Sequence, residues 1–451
     1  MEKSQALIYE SIYEANVLPI TSRCNLDCIF CSNKQNPRDL EEVKISPLTV
    51  DEVKDAAMFL DESKKIIIGE SATKISEGEP FLHPDIVQIL KFLRVKFPKT
   101  SIQITTNGTM IDDSILAELK LLAPLEINLS INMLDKSLRW EYMGDKPPFN
   151  AINLPEKFNE NNIVYNGSVV DLSYFYGKEE LFNTLKYLEA NGTRTIRIFV
   201  PGGTYLNENL IKMPSIREVV RALKKIKKDF ETPILIEPPL VEDLRAEVAG
   251  VARNSPAWFQ GIKAGDEITM VNEMPVFSRA DAYYLIKENK NPIIKLKHEN
   301  GEDIEKVFNK EKIDSGGICF DYDISKQEIE ALAGLENNNK IDKKGKKIMV
   351  LASRGGYDIV TKALQTYKPE SKLEVHKVES NYLQGNIISA GLLVVDDFIC
   401  YLKSQFEIAD LRRDYGLIVL PKKAFDQRGI DLKGEHYLTL EALLGVKVTV
   451  C

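Results

Sequence analysis

Tryptophan and histidine are scarce in this 451-residue chain, at two and four residues, and cysteine is little commoner at six. No catalytic triad or paired carboxylates stand out, so chemistry carried by side chains alone is not signposted. So few cysteines, with no secretory signal in Met1-Glu2-Lys3-Ser4-Gln5, argue against a disulfide framework. A reducing compartment follows, and a cytoplasmic location is expected. No apolar run approaches the roughly 20 residues that span a bilayer, so no membrane partner is expected. An excess of positive charge is also missing: 59 Lys and Arg against 67 Asp and Glu give a net charge of −8. That excludes a bulk electrostatic attraction to nucleic acid, and none is expected as a partner. The basic runs at 221–228 and 343–347 are local, reading as an outer helix face and a linker. Repeats and low-complexity tracts are absent as well. What remains is an ordinary globular composition, 44% hydrophobic, long enough for two to four domains.

The distinctive chemistry lies near the start. Cys24, Cys28 and Cys31 fall in one run, Ser22-Arg23-Cys24-Asn25-Leu26-Asp27-Cys28-Ile29-Phe30-Cys31, with C-x3-C-x2-C spacing. Three thiolates in one short loop suit three irons of a 4Fe–4S cluster, a group more usually held by four cysteines. The fourth iron is then open to a ligand from outside the protein. Zinc is the competing reading, but it takes four ligands, and the nearest histidine is the distant His83. The other cysteines, Cys319, Cys400 and Cys451, have no ligand spacing. The first two read as buried small hydrophobes, and Cys451 as exposed, with an auxiliary cluster assembled from these scattered thiols as the alternative.

On these residues the chain resembles the radical S-adenosylmethionine (SAM) superfamily, and the likeness continues downstream. Phe30 stands where the family has an aromatic that packs near the adenine. The run Glu77-Gly78-Glu79-Pro80-Phe81-Leu82-His83-Pro84-Asp85 is similar to the family's Gly-Gly-Glu-Pro segment, which binds the methionyl amino group of SAM. Ile104-Thr105-Thr106-Asn107-Gly108-Thr109 is similar to the family's third-strand Thr-Asn-Gly. Glu77 replaces the first glycine of the pattern, and residues 69–76 look like an addition between strand and motif. The resemblance implies a 4Fe–4S cluster on the three cysteines and SAM held by Phe30, Gly78, Glu79, Pro80 and Asn107. It also implies that Ser130 meets the carboxylate or ribose of SAM, with Asn132 on the same strand face. Arg197, if it points inward, would suit a carboxylate of SAM or substrate.

Strand and helix signals alternate over 1–232. Apolar strands are expected at 17–20, 65–68, 102–105, 127–131, 168–172 and 196–200. Helices are expected near 49–60, 84–96, 114–122, 179–190 and 215–230, with capping boxes at Thr49/Glu52 and Ser215/Glu218. Such alternation implies a mainly parallel sheet. Six units suit a partial (β/α)6 TIM-type barrel, the family's usual core, with ligands at the C-terminal strand ends.

Residues 233–323 resemble a PDZ domain in 251–257, in Gly261-Ile262-Lys263-Ala264-Gly265-Asp266-Glu267-Ile268, in 271–276 and in 278–282. A PDZ groove adds a peptide as an extra strand. The family's glycine-rich carboxylate loop is not found before strand 246–251, so intramolecular docking is the equal alternative. A polar linker is placed at 324–346. Residues 347–451 form a C-terminal α/β domain. The stretch 375–397 and the end of the chain are similar to an uncharacterised domain that accompanies PDZ and radical SAM domains in one iron–sulfur oxidoreductase-like family.

The resemblance therefore implies a radical SAM enzyme. The cluster reductively cleaves SAM, and the 5′-deoxyadenosyl radical abstracts hydrogen from a substrate. A one-electron donor such as ferredoxin or flavodoxin is the implied partner. A peptide or protein substrate is favoured by the PDZ-like part; a small metabolite or metallocofactor precursor is the alternative. A non-catalytic iron–sulfur or electron-transfer protein is the reading from another class.

Overall fold

Period-two alternation of isoleucine and leucine with other residues builds the first sheet of the computed structural model, which describes residues 3–298, 300–337 and 346–451. Its strands are β1 (Ile66–Ile68), β2 (Ile102–Thr106), β3 (Leu125–Ser130), β4 (Val164–Val170), β5 (Ile196–Phe199) and β6 (Ile234–Glu237). They pair in chain order, all parallel. Helices intervene between successive strands, giving the (β/α)6 core. The helix Ile86–Lys96 shows the reason: Ile86, Ile89, Leu90 and Leu93 form one buried stripe. The expected capping box opens the helix Val50–Ala56, with Thr49 accepting from the Glu52 N–H and Glu52 accepting from the Thr49 N–H.

Two expectations are corrected here. The segment 17–20 is not a full strand: Val17 makes a single parallel bridge to Ile67, and Leu18 N–H donates to Ile67 O at 2.8 Å. Pro19 has no N–H to continue the ladder. The sheet reaches six strands instead through β6, which extends past the expected boundary at 232.

The chain forms two compact units. One comprises 1–34, 41–201 and 224–237; the other comprises 35–40, 202–223 and 238–451. In the second unit, β7 (Gly250–Val251), β8 (Glu267–Val271), β9 (Met274–Pro275), β10 (Ile293–Lys297), β11 (Asp303–Val307) and β12 (Ile318–Cys319) form two small antiparallel sheets. They enclose a core that includes Val248, Ile262, Ile268, Val271, Ile294 and Phe308. The helix Arg279–Glu288 is capped by Ser278, and Asp323 accepts from the Arg279 and Ala280 N–H groups. β12 pairs with β7 in a two-stranded sheet. Gly316 and Gly317, both with positive φ, immediately precede β12. A turn with two left-handed glycines thus leads into β12.

The 324–346 linker is also corrected. Residues Lys326–Gly334 form a helix, opened by a Ser325/Glu328 capping box. Its Ile329, Leu332 and Ala333 enter one apolar cluster with Leu244, Ile348, Val350 and Leu417. The PDZ part and the C-terminal part therefore share a core inside one unit. The stretch 338–345, including most of the 343–347 basic run, lies outside the described residues.

The C-terminal α/β layer has β13 (Lys347–Ser353), β14 (Leu373–Val378), β15 (Tyr415–Leu420) and β16 (Lys447–Val450), ordered β14-β13-β15-β16 and parallel. Cys319 is half-buried, whereas Cys400 and Cys451 are exposed. Cys400 departs from the expected buried thiol because the helix Val395–Gln405 buries Val395, Asp397, Phe398 and Leu402, a stripe that omits position 400. Among the described residues no helix is long and apolar enough to cross a membrane.

Candidate functional site

The cysteine loop is pinned from two sides. On its N-terminal limb, Ser22 N–H donates to Ile45 O at 3.1 Å and Ile45 N–H to Ser22 Oγ at 3.0 Å. In its middle, Asp27 N–H donates to Met143 O at 2.8 Å and Ile29 N–H to Tyr142 O at 2.9 Å. These carbonyls end the helix Lys136–Met143, which stops at Gly144 in the left-handed region. Inside that helix, Arg139 is fully buried. Its Nε pairs with Asp145 at 2.6 Å and its Nη1 donates to the Ile131 and Met133 carbonyls. The loop thus sits on an anchored helix end.

The Gly78-Glu79 segment lies against the same limb. Gly78 N–H donates to Thr21 O at 3.0 Å, and Glu79 N–H to Arg23 O at 2.7 Å. A Cβ at position 78 would overlap Arg23 O and stand 2.6 Å from both Arg23 N and Ser22 C. Only glycine allows this approach. Pro80 opens a 3-10 turn, Pro80–Leu82. Glu79 is 3% exposed. Its Oε1 accepts from Thr106 Oγ1 at 2.6 Å and Phe81 N–H at 3.0 Å, and its Oε2 accepts from Asn107 N–H at 2.7 Å. The carboxylate therefore ties the Gly78-Glu79-Pro80 segment to the Thr106-Asn107-Gly108 turn. Asn107 completes the connection: its Nδ2 donates to Asn25 Oδ1 at 3.2 Å and lies 3.9 Å from Cys24 Sγ. Three motifs scattered over 24–108 converge within hydrogen-bond reach of one another.

The electrostatics follow from that convergence. Burial pushes the Cys28 thiol up to about 12, and the neighbouring Cys24 and Cys31 add to the rise. Cys24 is raised by burial first, then by Glu79 and Cys31. Burial raises Glu79 as well, against its three hydrogen bonds. The raised Cys24 and Cys28 thiols call for a cation to offset their buried charge, and a cluster would supply it. Among the described residues, no three His, Cys, Asp or Glu gather closely enough to hold a single metal ion. His83, the nearest histidine for a zinc reading, is buried and occupied. Its Nε2 donates to Leu48 O at 2.7 Å while its Nδ1 accepts from the Asp85 N–H. The donor set fits a cluster spread over one loop.

Phe30 is half-buried within the cysteine loop. Ser130, also half-buried, ends β3 and is in register with Ser168 of β4. Asn132 behaves differently: it is buried with φ of 56°, and its Oδ1 accepts from Val170 N–H at 2.8 Å, splicing β3 to β4. Arg197 already has a carboxylate partner within the sheet. Its Nη2 donates to Glu237 of β6 at 3.2 Å, and the guanidinium lies over Phe199.

Sequence reasoning missed a polar network on the intervening strand positions. Glu70 Oε1 accepts from Gln103, Thr105 and Asn128. Glu126 pairs with Lys65 at 2.7 Å and accepts from Asn166 Nδ2. Asn166 also reaches Asn128 and accepts from Thr195. The available signal was the strict alternation Ile102-Gln103-Ile104-Thr105 and Leu125-Glu126-Ile127-Asn128, in which the polar members share a sheet face. The environment of Glu77, noted above only as a departure from the motif, was not legible either. Its Oε1 is buried without a hydrogen-bond partner, and burial, then Glu70, push its carboxyl up to about 8.

Residues 18–203 match the radical SAM superfamily, and 247–298 match the PDZ domain. An uncharacterized protein of Methanocaldococcus jannaschii is 27% identical over 225 residues, 47% of this chain and 70% of that protein. GTP 3′,8-cyclase of Microcystis aeruginosa is 29% identical over 133 residues, 29% of this chain but only 37% of the enzyme. Among solved structures, Streptococcus suis SuiB bound to precursor peptide SuiA aligns with TM-score 0.38 and 19% identity. That alignment covers 49% of this chain and 48% of SuiB.

Proposed function

We propose that this chain, which joins a radical SAM domain to a PDZ domain, is a radical SAM enzyme acting on a peptide or protein segment. The observation that carries the reading is the junction of Cys24, Glu79 and Asn107. In a simple electron carrier, a buried glutamate that ties two ligand-binding turns to the cysteine loop has no task.

In this reading Cys24, Cys28 and Cys31 hold the 4Fe–4S cluster. Gly78, Glu79 and Pro80 shape the backbone that receives the amino group of SAM, with Asn107 beside it. Phe30 flanks the adenine, and Ser130 meets the carboxylate or ribose. When bound, the cluster and SAM supply reductive C–S cleavage and hydrogen abstraction from the substrate, with electrons from a ferredoxin- or flavodoxin-type donor. The chain's own residues bind and orient. Arg197, already paired with Glu237, fixes the β5–β6 wall. Glu70, Gln103, Thr105 and Asn128 present a polar sheet face suited to a substrate rich in hydrogen-bonding groups, as a peptide backbone is. The PDZ domain favours an extended chain as substrate.

The test supplies anaerobically reconstituted protein with SAM, dithionite and a fully deuterated peptide pool. Deuterium appearing in 5′-deoxyadenosine supports a peptide substrate. Deuterium transferred only from a deuterated small-metabolite pool overturns that part of the reading.

A further inference from the structure

Asn107 stands where two of the converging motifs touch, and its side-chain amide has two ends of opposite polarity. Its backbone is already fixed, because Asn107 N–H donates to Glu79 Oε2 at 2.7 Å. Which end of the amide faces Cys24 is therefore left to the side chain's own partners. An N–H turned toward a thiolate favours its negative charge, whereas a carbonyl oxygen opposes it.

The oxygen end is occupied. Asn107 Oδ1 accepts from Thr109 N–H at 3.0 Å and from the Thr109 hydroxyl at 2.7 Å. Turning the amide over would give up both bonds and set Nδ2 against a second donor. The nitrogen end points the other way. Asn107 Nδ2 donates to Asn25 Oδ1 at 3.2 Å and stands 3.9 Å from Cys24 Sγ.

Asn25 is held in turn, since its Nδ2 donates to Thr109 Oγ1 at 2.8 Å. The three side chains thus close a ring in which each one both donates and accepts. Thr109 is the joint: its hydroxyl gives its single proton to Asn107 and takes one from Asn25. The turn beneath is braced as well. Gly108 N–H donates to Thr106 Oγ1 at 2.9 Å, and Asn150 Nδ2 donates to Thr109 O at 3.3 Å. Asn25 directly follows Cys24, while Asn107 and Thr109 follow the end of β2. Every residue of the ring and its supports lies in the first compact unit.

We propose that Asn25 and Thr109 are positioning residues for Asn107, holding its amide so that Nδ2–H faces the Cys24 sulfur and raises the reduction potential of the cluster. Hydrogen bonds to ligating sulfurs are one of the protein's levers on such potentials, because the reduced cluster carries the extra negative charge. The proposal rests on the cluster reading for this consequence, while the ring itself stands on its contacts.

The potential is read on reconstituted full-length protein, titrated with dithionite and followed by the electron paramagnetic resonance signal of the reduced cluster. Thr109→Val removes the hydroxyl and keeps the shape. It should shift the reduction equilibrium about tenfold toward the oxidised cluster, or about 59 mV more negative for one electron. Asn25→Ala should shift it in the same direction, and the double variant by less than the sum, since one break already opens the ring. Thr109→Ser keeps the hydroxyl and should restore the parent potential. A parent potential in Thr109→Val holding full iron and sulfide overturns the proposal, as does a shift that Thr109→Ser shares. Hydrogen–deuterium exchange without cluster reads the ring separately. Residues 107–109 should exchange about tenfold faster in Thr109→Val and at the parent rate in Thr109→Ser, with β2 and β3 still protected. If the parent takes up no cluster, the radical SAM reading fails and exchange decides the ring: a parent rate in Thr109→Val then overturns it.

Discussion

Adding one methyl group at Gly78 tests how the site is assembled. The Cβ of Gly78→Ala would stand 2.6 Å from Arg23 N and Ser22 C, where 3.4 Å or more is ordinary contact. The obstacle is backbone, which cannot swing aside as a side-chain tip can. Relief requires the Thr21–Arg23 limb and the Gly78-Glu79 segment to part. That stretches the 3.0 Å bond from Gly78 N–H to Thr21 O and the 2.7 Å bond from Glu79 N–H to Arg23 O. Overpacking of this kind costs ~1–3 kcal/mol, and each lost hydrogen bond adds about 1 kcal/mol. The local penalty is then ~3–5 kcal/mol, or roughly a hundredfold or more in local opening. Hydrogen–deuterium exchange over residues 20–31 and 76–81 should accelerate accordingly, and iron uptake on reconstitution should fall. Gly334→Ala is the control: a Cβ there meets nothing within 4 Å, and protection should hold. Parent-like protection and full iron uptake in Gly78→Ala would refute the tight pairing of these two segments.

Glu77 makes a pH prediction. Its carboxyl is raised from 4.5 to about 8 by burial and by Glu70, so the folded state keeps a proton that the unfolded chain gives up near 4.5. Stability should therefore fall as pH rises from about 4.5 to about 8, by ~2–4 kcal/mol once partial exposure is allowed for, and then level off. Glu77→Gln, which cannot ionise, should flatten that slope in urea titrations at pH 5 and pH 8; an identical slope in both proteins would remove Glu77 as its source. Arg139→Met leaves Asp145 buried without its partner and should cost ~3–5 kcal/mol. Its effect should include faster exchange at Asp27 and Ile29, whose N–H groups bond the end of the same helix. An Arg139→Met protein as stable as the parent would show that the pair does not anchor the loop.

Much of the site was legible because its motifs are local. The cysteine spacing, Gly78-Glu79-Pro80 and Thr106-Asn107-Gly108 each occupy one turn, and the Thr49 and Ser215 capping boxes form as their spacing requires. What was not legible depends on partners far apart in sequence. Glu79 reads as a ligand for SAM, yet its carboxylate is taken up by Thr106 and Asn107. The pairing of Arg197 with Glu237, forty residues on, is not announced by any local pattern. β6 looked like the start of the next domain because nothing in Ile234–Glu237 states which sheet it joins. The helix Lys326–Gly334 was hidden by its polar surroundings, although its Ser325/Glu328 capping box and the Ile329, Leu332 and Ala333 stripe were readable. The hydrogen bond from Gly203 N–H to Asn386 Oδ1 joins positions 183 residues apart, and no local pattern announces it.

The central claim is that the converging cysteine loop, Gly78-Glu79 segment and Asn107 turn serve radical SAM chemistry. The most direct measurement is 5′-deoxyadenosine release from anaerobically reconstituted protein given SAM and dithionite, with Cys28→Ala alongside. Release by the parent and none by the variant is the predicted result. No release, together with no SAM binding by protein that holds its full complement of iron and sulfide, would contradict it.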